Sequence, residues 1–239
     1  MNSRFYKLFT SAVVLFVASA ATGFAQNVTV FSKEGGRIDF KEGDVISIEF
    51  SDVERQPLTP PATAESVDLG LSVKWATCNV GATKPEDAGA YLAWGEKAEK
   101  SEYNWANYFD ENCDRPLTAI SGMDDYDVAA AEWGGDWRLP TLTEMQELCD
   151  RCTWSWTEQN GTKGCLVTGP NGGTIFLPAS GTRQGTSLYL SGSYGSFLTG
   201  TRDSDNHFYA RSLVFFSTGE HWIDTNLRDY GQTVRAVCK

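Results

Sequence analysis

Residues 134–148, Gly-Gly-Asp-Trp-Arg-Leu-Pro-Thr-Leu-Thr-Glu-Met-Gln-Glu-Leu, and the closing run Gly231-Gln-Thr-Val-Arg-Ala-Val-Cys238 constrain this chain more than anything else in it. The first is a glycine-aromatic turn that feeds a capped helix. Thr141-Leu-Thr-Glu144 fits a capping box, in which the threonine oxygen accepts from a first-turn amide and Glu144 returns the bond. Pro140 stands just ahead of the cap, where it interrupts no helical hydrogen bond. Leu142, Met145 and Leu148 then fall on one face at helical spacing. The second run reads as a terminal strand. Both features speak to fold and say little about chemistry.

Around these anchors the pattern predicts a helix, then a sheet. Tyr126 to Trp133 is short, alanine-rich and helical in propensity. After the capped helix the period changes to two. Trp154-Ser-Trp156, Cys165-Leu-Val-Thr168 and Thr174-Ile-Phe-Leu177 are strands, the last two joined by the Gly169-Pro-Asn-Gly-Gly173 turn. Further strands are expected at Val73–Cys78, Ala90–Trp94, Ser196–Thr199, Phe208–Phe216 and Thr233–Cys238. Tyr103 to Asp114 reads as a long loop, and glycines and serines punctuate 181–187 and 191–196. Two short helices followed by an antiparallel sheet make an α+β domain, unlike an alternating β/α chain.

The N-terminal third reads differently. Arg4 and Lys7, the apolar run Ala12–Ala21 and Gly23-Phe-Ala25 have the layout of a secretory signal peptide over 1–25, cut before Gln26. The run is about half the ~20 apolar residues that a membrane span needs. The residue after the cut is Gln26 and not a cysteine that could carry a lipid, and no later segment is apolar enough to span a bilayer. Residues 26–53 form a small β element: Asn27–Phe31 and Arg37–Phe40 flank the Gly35-Gly36 turn, and Val45–Phe50 alternates. Residues 54–66, with Pro57, Pro60 and Pro61, read as a semi-rigid linker, and the main domain runs over 67–239.

Removing the leader removes Arg4 and Lys7, which takes the formal net charge from −11 to −13. An acidic mature chain repels phosphate backbones, so nucleic acid is not an expected partner. The mature part holds all six cysteines, Cys78, Cys113, Cys149, Cys152, Cys165 and Cys238. An even number in an exported chain suggests disulfides, with 15 possible pairings. A Cys78–Cys238 bridge tying the ends of the main domain is the first expectation.

Several runs resemble the Fibrobacter succinogenes major paralogous domain family. They are Val67-Asp-Leu-Gly-Leu-Ser-Val-Lys-Trp-Ala-Thr-Cys-Asn-Val-Gly-Ala82, Ala93-Trp-Gly-Glu96, Trp133-Gly-Gly-Asp-Trp-Arg-Leu-Pro-Thr141 and Ile175-Phe-Leu-Pro-Ala179. Arg183, Gly192-Ser-Tyr-Gly195 and Val234-Arg235 continue the match, so it covers essentially all of 67–239. The chain departs from the family pattern at Leu198-Thr-Gly200 and at Val234-Arg-Ala-Val237. The resemblance implies a C-type-lectin-like fold, of the variant shared with formylglycine-generating enzyme, in an exported protein of Bacteroides-type bacteria. Late loops form the exposed surface of that fold.

Candidate chemistry is thin. Cys149-Asp-Arg-Cys152 has redox spacing but sits at a helix C-terminus, where the dipole opposes a thiolate. Formylglycine chemistry needs a cysteine pair late in the domain, and after Cys165 only Cys238 remains. Gly169-Pro-Asn171 and Trp222-Ile-Asp224 are poor imitations of calcium-lectin motifs. Asp203 and Asp205 beside Asn206 read as a hydrated polar turn. His207 and His221 are too few for a histidine metal site and lack a nucleophile partner. No cofactor and no metal are expected, and the chain is not read as an enzyme.

The expected role is a secreted, periplasmic or outer-surface binding module that presents its late loops, Asp203–His207 and Ser217–Tyr230, to a glycan or a protein. Its contact residues would come from Arg183, Tyr189, Tyr194, Asp203, Asp205, His207, Tyr209, Arg211, Trp222 and Tyr230, because arginine and aromatics are enriched at interface centres. Arg228 lies nearby in sequence. Trp75, Trp94, Trp133 and Trp137 are assigned to the core. The second reading is a structural component of a cell-envelope or fimbria-like assembly, with 26–53 as its docking element. A formylglycine-type enzyme is third.

Overall fold

The computed structural model describes residues 13–15, 28–32, 37–40, 65–110 and 113–239. The chain divides into two units, residues 1–56 and 57–239. In the first, β1 (Val13–Leu15), β2 (Val28–Ser32) and β3 (Arg37–Phe40) form an antiparallel sheet in that order. The hairpin expected around Gly35-Gly36 is present, with Val28 opposite Phe40 and Phe31 opposite Arg37. The segment read as a leader supplies β1. The strand expected at 45–50 and residues 54–64 of the expected linker lie outside the described residues.

The second unit is α+β. Its elements are β4 (Ser66–Val67), β5 (Lys74–Ala76), a 3-10 turn at Trp105–Asn107, α1 (Val128–Trp133) and α2 (Leu142–Arg151). There follow β6 (Thr153–Gln159), β7 (Thr162–Thr168), β8 (Thr174–Pro178), β9 (Thr182–Gln184) and β10 (Ser187–Tyr189). β11 (Tyr194–Arg202), β12 (Tyr209–Phe216), β13 (His221–Leu227) and β14 (Val237–Cys238) close the chain. Every pairing between named strands is antiparallel. Among the described residues no helix is long and apolar enough to cross a membrane.

The capping box at Thr141 forms as the sequence requires. Its hydroxyl accepts from the Glu144 amide at 3.3 Å, and Glu144 accepts from the Thr141 amide at 2.8 Å. Arg138 adds an ion pair to the same carboxylate. Met145 and Leu148 are buried against Trp75, Val167, Leu177, Phe197 and Phe215, in a core between α2, the β6–β8 meander and the β11–β13 sheet. A second core gathers Leu92, Trp94, Ile120, Val128, Leu139, Leu198 and Val234 around α1.

The run 231–238 joins these layers. Ala76 and Val80 donate to Ala236 and Val234, while Leu198 donates to Thr233 and Thr233 to Ser196. The β4–β5–β14 sheet therefore continues through this segment into β11, and all of 231–237 is buried. Arg235 is fully buried within it and has no carboxylate partner among the described residues. Its guanidinium donates to Asn79 Oδ1 and to the carbonyls of Ala76, Thr77 and Phe176. Burial pulls its pKa down to about 10, so it still carries its charge at neutral pH.

The expected Cys78–Cys238 bridge is corrected. All six thiols are free. Cys238 is registered opposite Lys74, whereas the 76–80 stretch faces Ala236 and Val234. Cys78 thus lies four residues along from the partner of Cys238, roughly 13 Å at strand rise, and a disulfide spans at most ~7 Å between Cα atoms. The strand expected at Ala90–Trp94 is reduced to a single bridge, Leu92 to Gln232.

Candidate functional site

The register of the β11–β13 sheet sorts its residues onto two faces. Phe197, Leu213, Phe215 and Ile223 point to the core beneath α2. The opposite face carries Tyr194 and Ser196 on β11, Phe216, Val214 and Ser212 on β12, and Trp222, Asp224 and Asn226 on β13. At the Leu198–Ala210 end this second face is covered by the α1 core. At the other end it is open.

The open end is a groove of about 320 Å³ lined by Leu190, Ser193, Tyr194, Phe216, Ser217, Thr218, Glu220 and Trp222. Its floor is aromatic. Trp222 stacks on Phe216 with ring centroids 5.2 Å apart and planes 23° apart, and Tyr194 tilts onto the other side of the same strand end at 4.9 Å. Trp222 keeps 41% of its surface exposed. Burial raises the Tyr194 phenol pKa, opposed by Ser196 and Asn226.

Two turns shape the groove. Ser217-Thr-Gly219 is a three-residue hairpin loop whose last residue has φ +90°, which glycine adopts without cost. Phe216 and Glu220 close it, and Thr218 Oγ1 donates to Glu220 Oε2 at 3.0 Å, holding that carboxylate at the rim. On the other side Leu190 stands at φ +58°. Its carbonyl accepts from the amides of Ser193 and Tyr194 and from the Ser193 hydroxyl. A leucine in this conformation costs roughly 1–2 kcal/mol, yet its side chain is 58% exposed. Leu188 and Tyr189 precede it on the exposed β10. Four of the six exposed large apolar side chains among the described residues, Leu188, Tyr189, Leu190 and Trp222, therefore belong to β10 and its end or to the groove itself, and a concentration of this kind marks a contact surface.

The residues expected at the site are only partly brought together. Tyr194 and Trp222 line the groove, with Tyr189 on β10 beside its rim. Asp203, Asp205 and His207 form the β11–β12 turn at the far end of β12, so the two late loops do not make one surface. Asp203 is buried and committed: it accepts from the amides of Asp205 and Asn206 at 3.1 and 2.9 Å and pairs with Arg211 at 2.8 Å. Asp205 is exposed and accepts from Ser204, and the His207 ring lies against Phe208 at 4.4 Å. Arg183 lies over the Tyr91 ring at 4.9 Å, and Tyr209 and Tyr230 are half-buried.

Arg228 is withdrawn from any surface role. It is fully buried, 4.6 Å from the Trp94 ring centroid, and donates to Tyr108 Oη, to the His207 carbonyl and to Asp110 at 2.9 Å. Cys149 lies in the last turn of α2, where burial pushes its pKa up to about 12 and Asp150 and Cys152 add to the rise. Among the described residues no three His, Cys, Asp or Glu side chains converge as a metal site. Leu190, Ser193 and Phe216 are the groove residues that sequence reasoning missed, while Ser217, Thr218 and Glu220 fall inside the late loop expected at 217–230 without having been singled out. The Ser-Thr-Gly turn at 217–219 was the available signal, because a hairpin there makes 221–227 a strand.

No family model, no curated protein and no solved structure matches this chain.

Proposed function

We propose that the chain is an exported, non-catalytic binding module whose contact surface is the groove at the open end of the β11–β13 sheet. The observation that carries this reading is the half-exposed Trp222 ring, stacked on Phe216 and framed by Tyr194 and the strained, outward Leu190. An exposed tryptophan costs water contact unless a partner covers it, and backbone strain tends to be retained at functional sites. The antiparallel sheet, the two short helices and the union of both ends of the domain at β5 and β14 are consistent with the C-type-lectin-like scaffold that the sequence resembles. The leader layout supports export.

Glycan and secreted-protein arrays probed with wild type and with Trp222→Ala test the reading. Binding that disappears in the variant at unchanged melting temperature is expected. Binding retained at full strength would place the contact elsewhere on the molecule.

A further inference from the structure

We infer that the groove recognises a basic polypeptide segment, taking an arginine or lysine side chain across the outer face of Trp222. The inference rests on the binding-module reading and names its partner class. Trp222 and Asp224 share one face of β13, and Glu220 closes the preceding turn opposite Phe216 on the groove side, so a carboxylate stands before and after the indole along the strand. Glu220 lines the groove and is held in place by Thr218. Asp224 is exposed, with its Oδ1 accepting from the Thr225 amide at 2.8 Å.

One indole face is used by Phe216, and 41% of the Trp222 surface stays exposed. Its electron-rich π surface attracts a cation within about 6 Å of the ring, and tryptophan is the strongest aromatic partner for one. The rest of the lining is apolar or hydroxylic: Leu190, Tyr194, Ser193 and Ser217, with no lysine, arginine or histidine. That suits a side chain with an aliphatic stem and a charged head, which buries the first while keeping the second hydrated or paired. A volume of about 320 Å³ lies at the low end for ligand pockets. It admits one long side chain with its neighbours on the rim. The net charge of −11 over the chain steers a basic partner toward the molecule before contact.

A neutral sugar would also stack on Trp222, but it would draw no benefit from the paired carboxylates. A neutral glycan and a basic peptide are therefore separable by experiment. Fluorescence anisotropy with labelled peptides of alternating glycine and arginine, alternating glycine and glutamine, and a labelled neutral glucan oligomer makes the comparison. Variants are Trp222→Ala, the pair Glu220→Gln with Asp224→Asn, and the distant pair Glu102→Gln with Asp136→Asn, which removes the same charge elsewhere.

The arginine peptide is expected to bind wild type and to weaken about three- to tenfold in Trp222→Ala, in keeping with an exposed to partly desolvated cation–π contact. The groove pair should weaken it comparably and flatten its salt dependence, while the distant pair changes it less than twofold. Equal weakening by both charge pairs, with Trp222→Ala silent, overturns the inference by reducing it to net charge. No peptide binding, with Trp222-dependent binding of the glucan, overturns it while leaving the binding module standing. Loss of neither, together with unaltered array binding in Trp222→Ala, removes both.

Discussion

Asp229 offers a test of the interior that is independent of any ligand. It is 3% exposed and its Oδ1 accepts no hydrogen bond. Burial raises its pKa from 3.8 to about 6; its own backbone and Lys100 oppose the rise, and Glu96 adds to it. The folded protein thus binds this proton more tightly than the unfolded chain. Stability from this group is full below about pH 4 and is lost as the pH rises through 6. Two pKa units at about 1.36 kcal/mol each amount to ~3 kcal/mol at neutral pH, of which ~1 kcal/mol is already lost at pH 4.5. Asp229→Asn keeps the shape and removes the titration. Urea unfolding of variant and wild type at pH 4.5, 5.5, 6.5 and 7.5 isolates this one titration, because other carboxylates cancel in the difference. The variant should gain on wild type by about 2 kcal/mol across that range. A difference that stays flat, or that shrinks with rising pH, would refute the assignment of Asp229 as a desolvated carboxylate.

Two further perturbations probe the frame around the groove. Arg228→Met leaves Asp110 buried and unpaired and vacates three hydrogen bonds, so chemical denaturation should show a loss of about 3–5 kcal/mol; Arg211→Met strips a part-exposed partner from the buried Asp203, which keeps its two amide donors, and should cost less, about 1–3 kcal/mol. Leu190→Gly relieves the left-handed backbone and should raise stability by roughly 1 kcal/mol in thermal unfolding, while weakening whatever occupies the groove. Stability unchanged or lowered in that variant would mean that Leu190 packs more than its exposure implies.

Local rules carried most of the fold that the sequence made visible. The Thr141 cap needs only residues within one turn, and both of its bonds formed. The Gly169–Gly173 turn likewise specified the hairpin between β7 and β8, down to Thr168 opposite Thr174. What failed was set by distant partners. Ala90–Trp94 has a strand-like composition but meets only Gln232 in sheet fashion, because the amides of Ala90, Leu92 and Trp94 donate to three separate stretches, at Val80, Gln232 and Arg228. Cys78 and Cys238 sit in adjacent segments, and only their register, four residues out of step, forbids the bridge. Composition carries no register.

The site was legible as residue types and illegible as geometry. Aromatics and arginines scattered over 183–230 look alike on paper, yet the sheet divides them by parity. Trp222 and Tyr194 fall on the open face with Phe216, whereas Arg211 falls on the face that holds Phe215 and Leu213. Arg228 lies beyond the strand end and pays for its burial with Asp110 and Tyr108, residues about 120 positions earlier. Taking 217–230 as a late loop hid the alternation of Glu220, Trp222 and Asp224, since a loop has no faces. Once Ser217-Thr-Gly219 is recognised as a hairpin turn, period two places two carboxylates beside one exposed indole, and the preference for a cationic side chain follows from their charge and its π face.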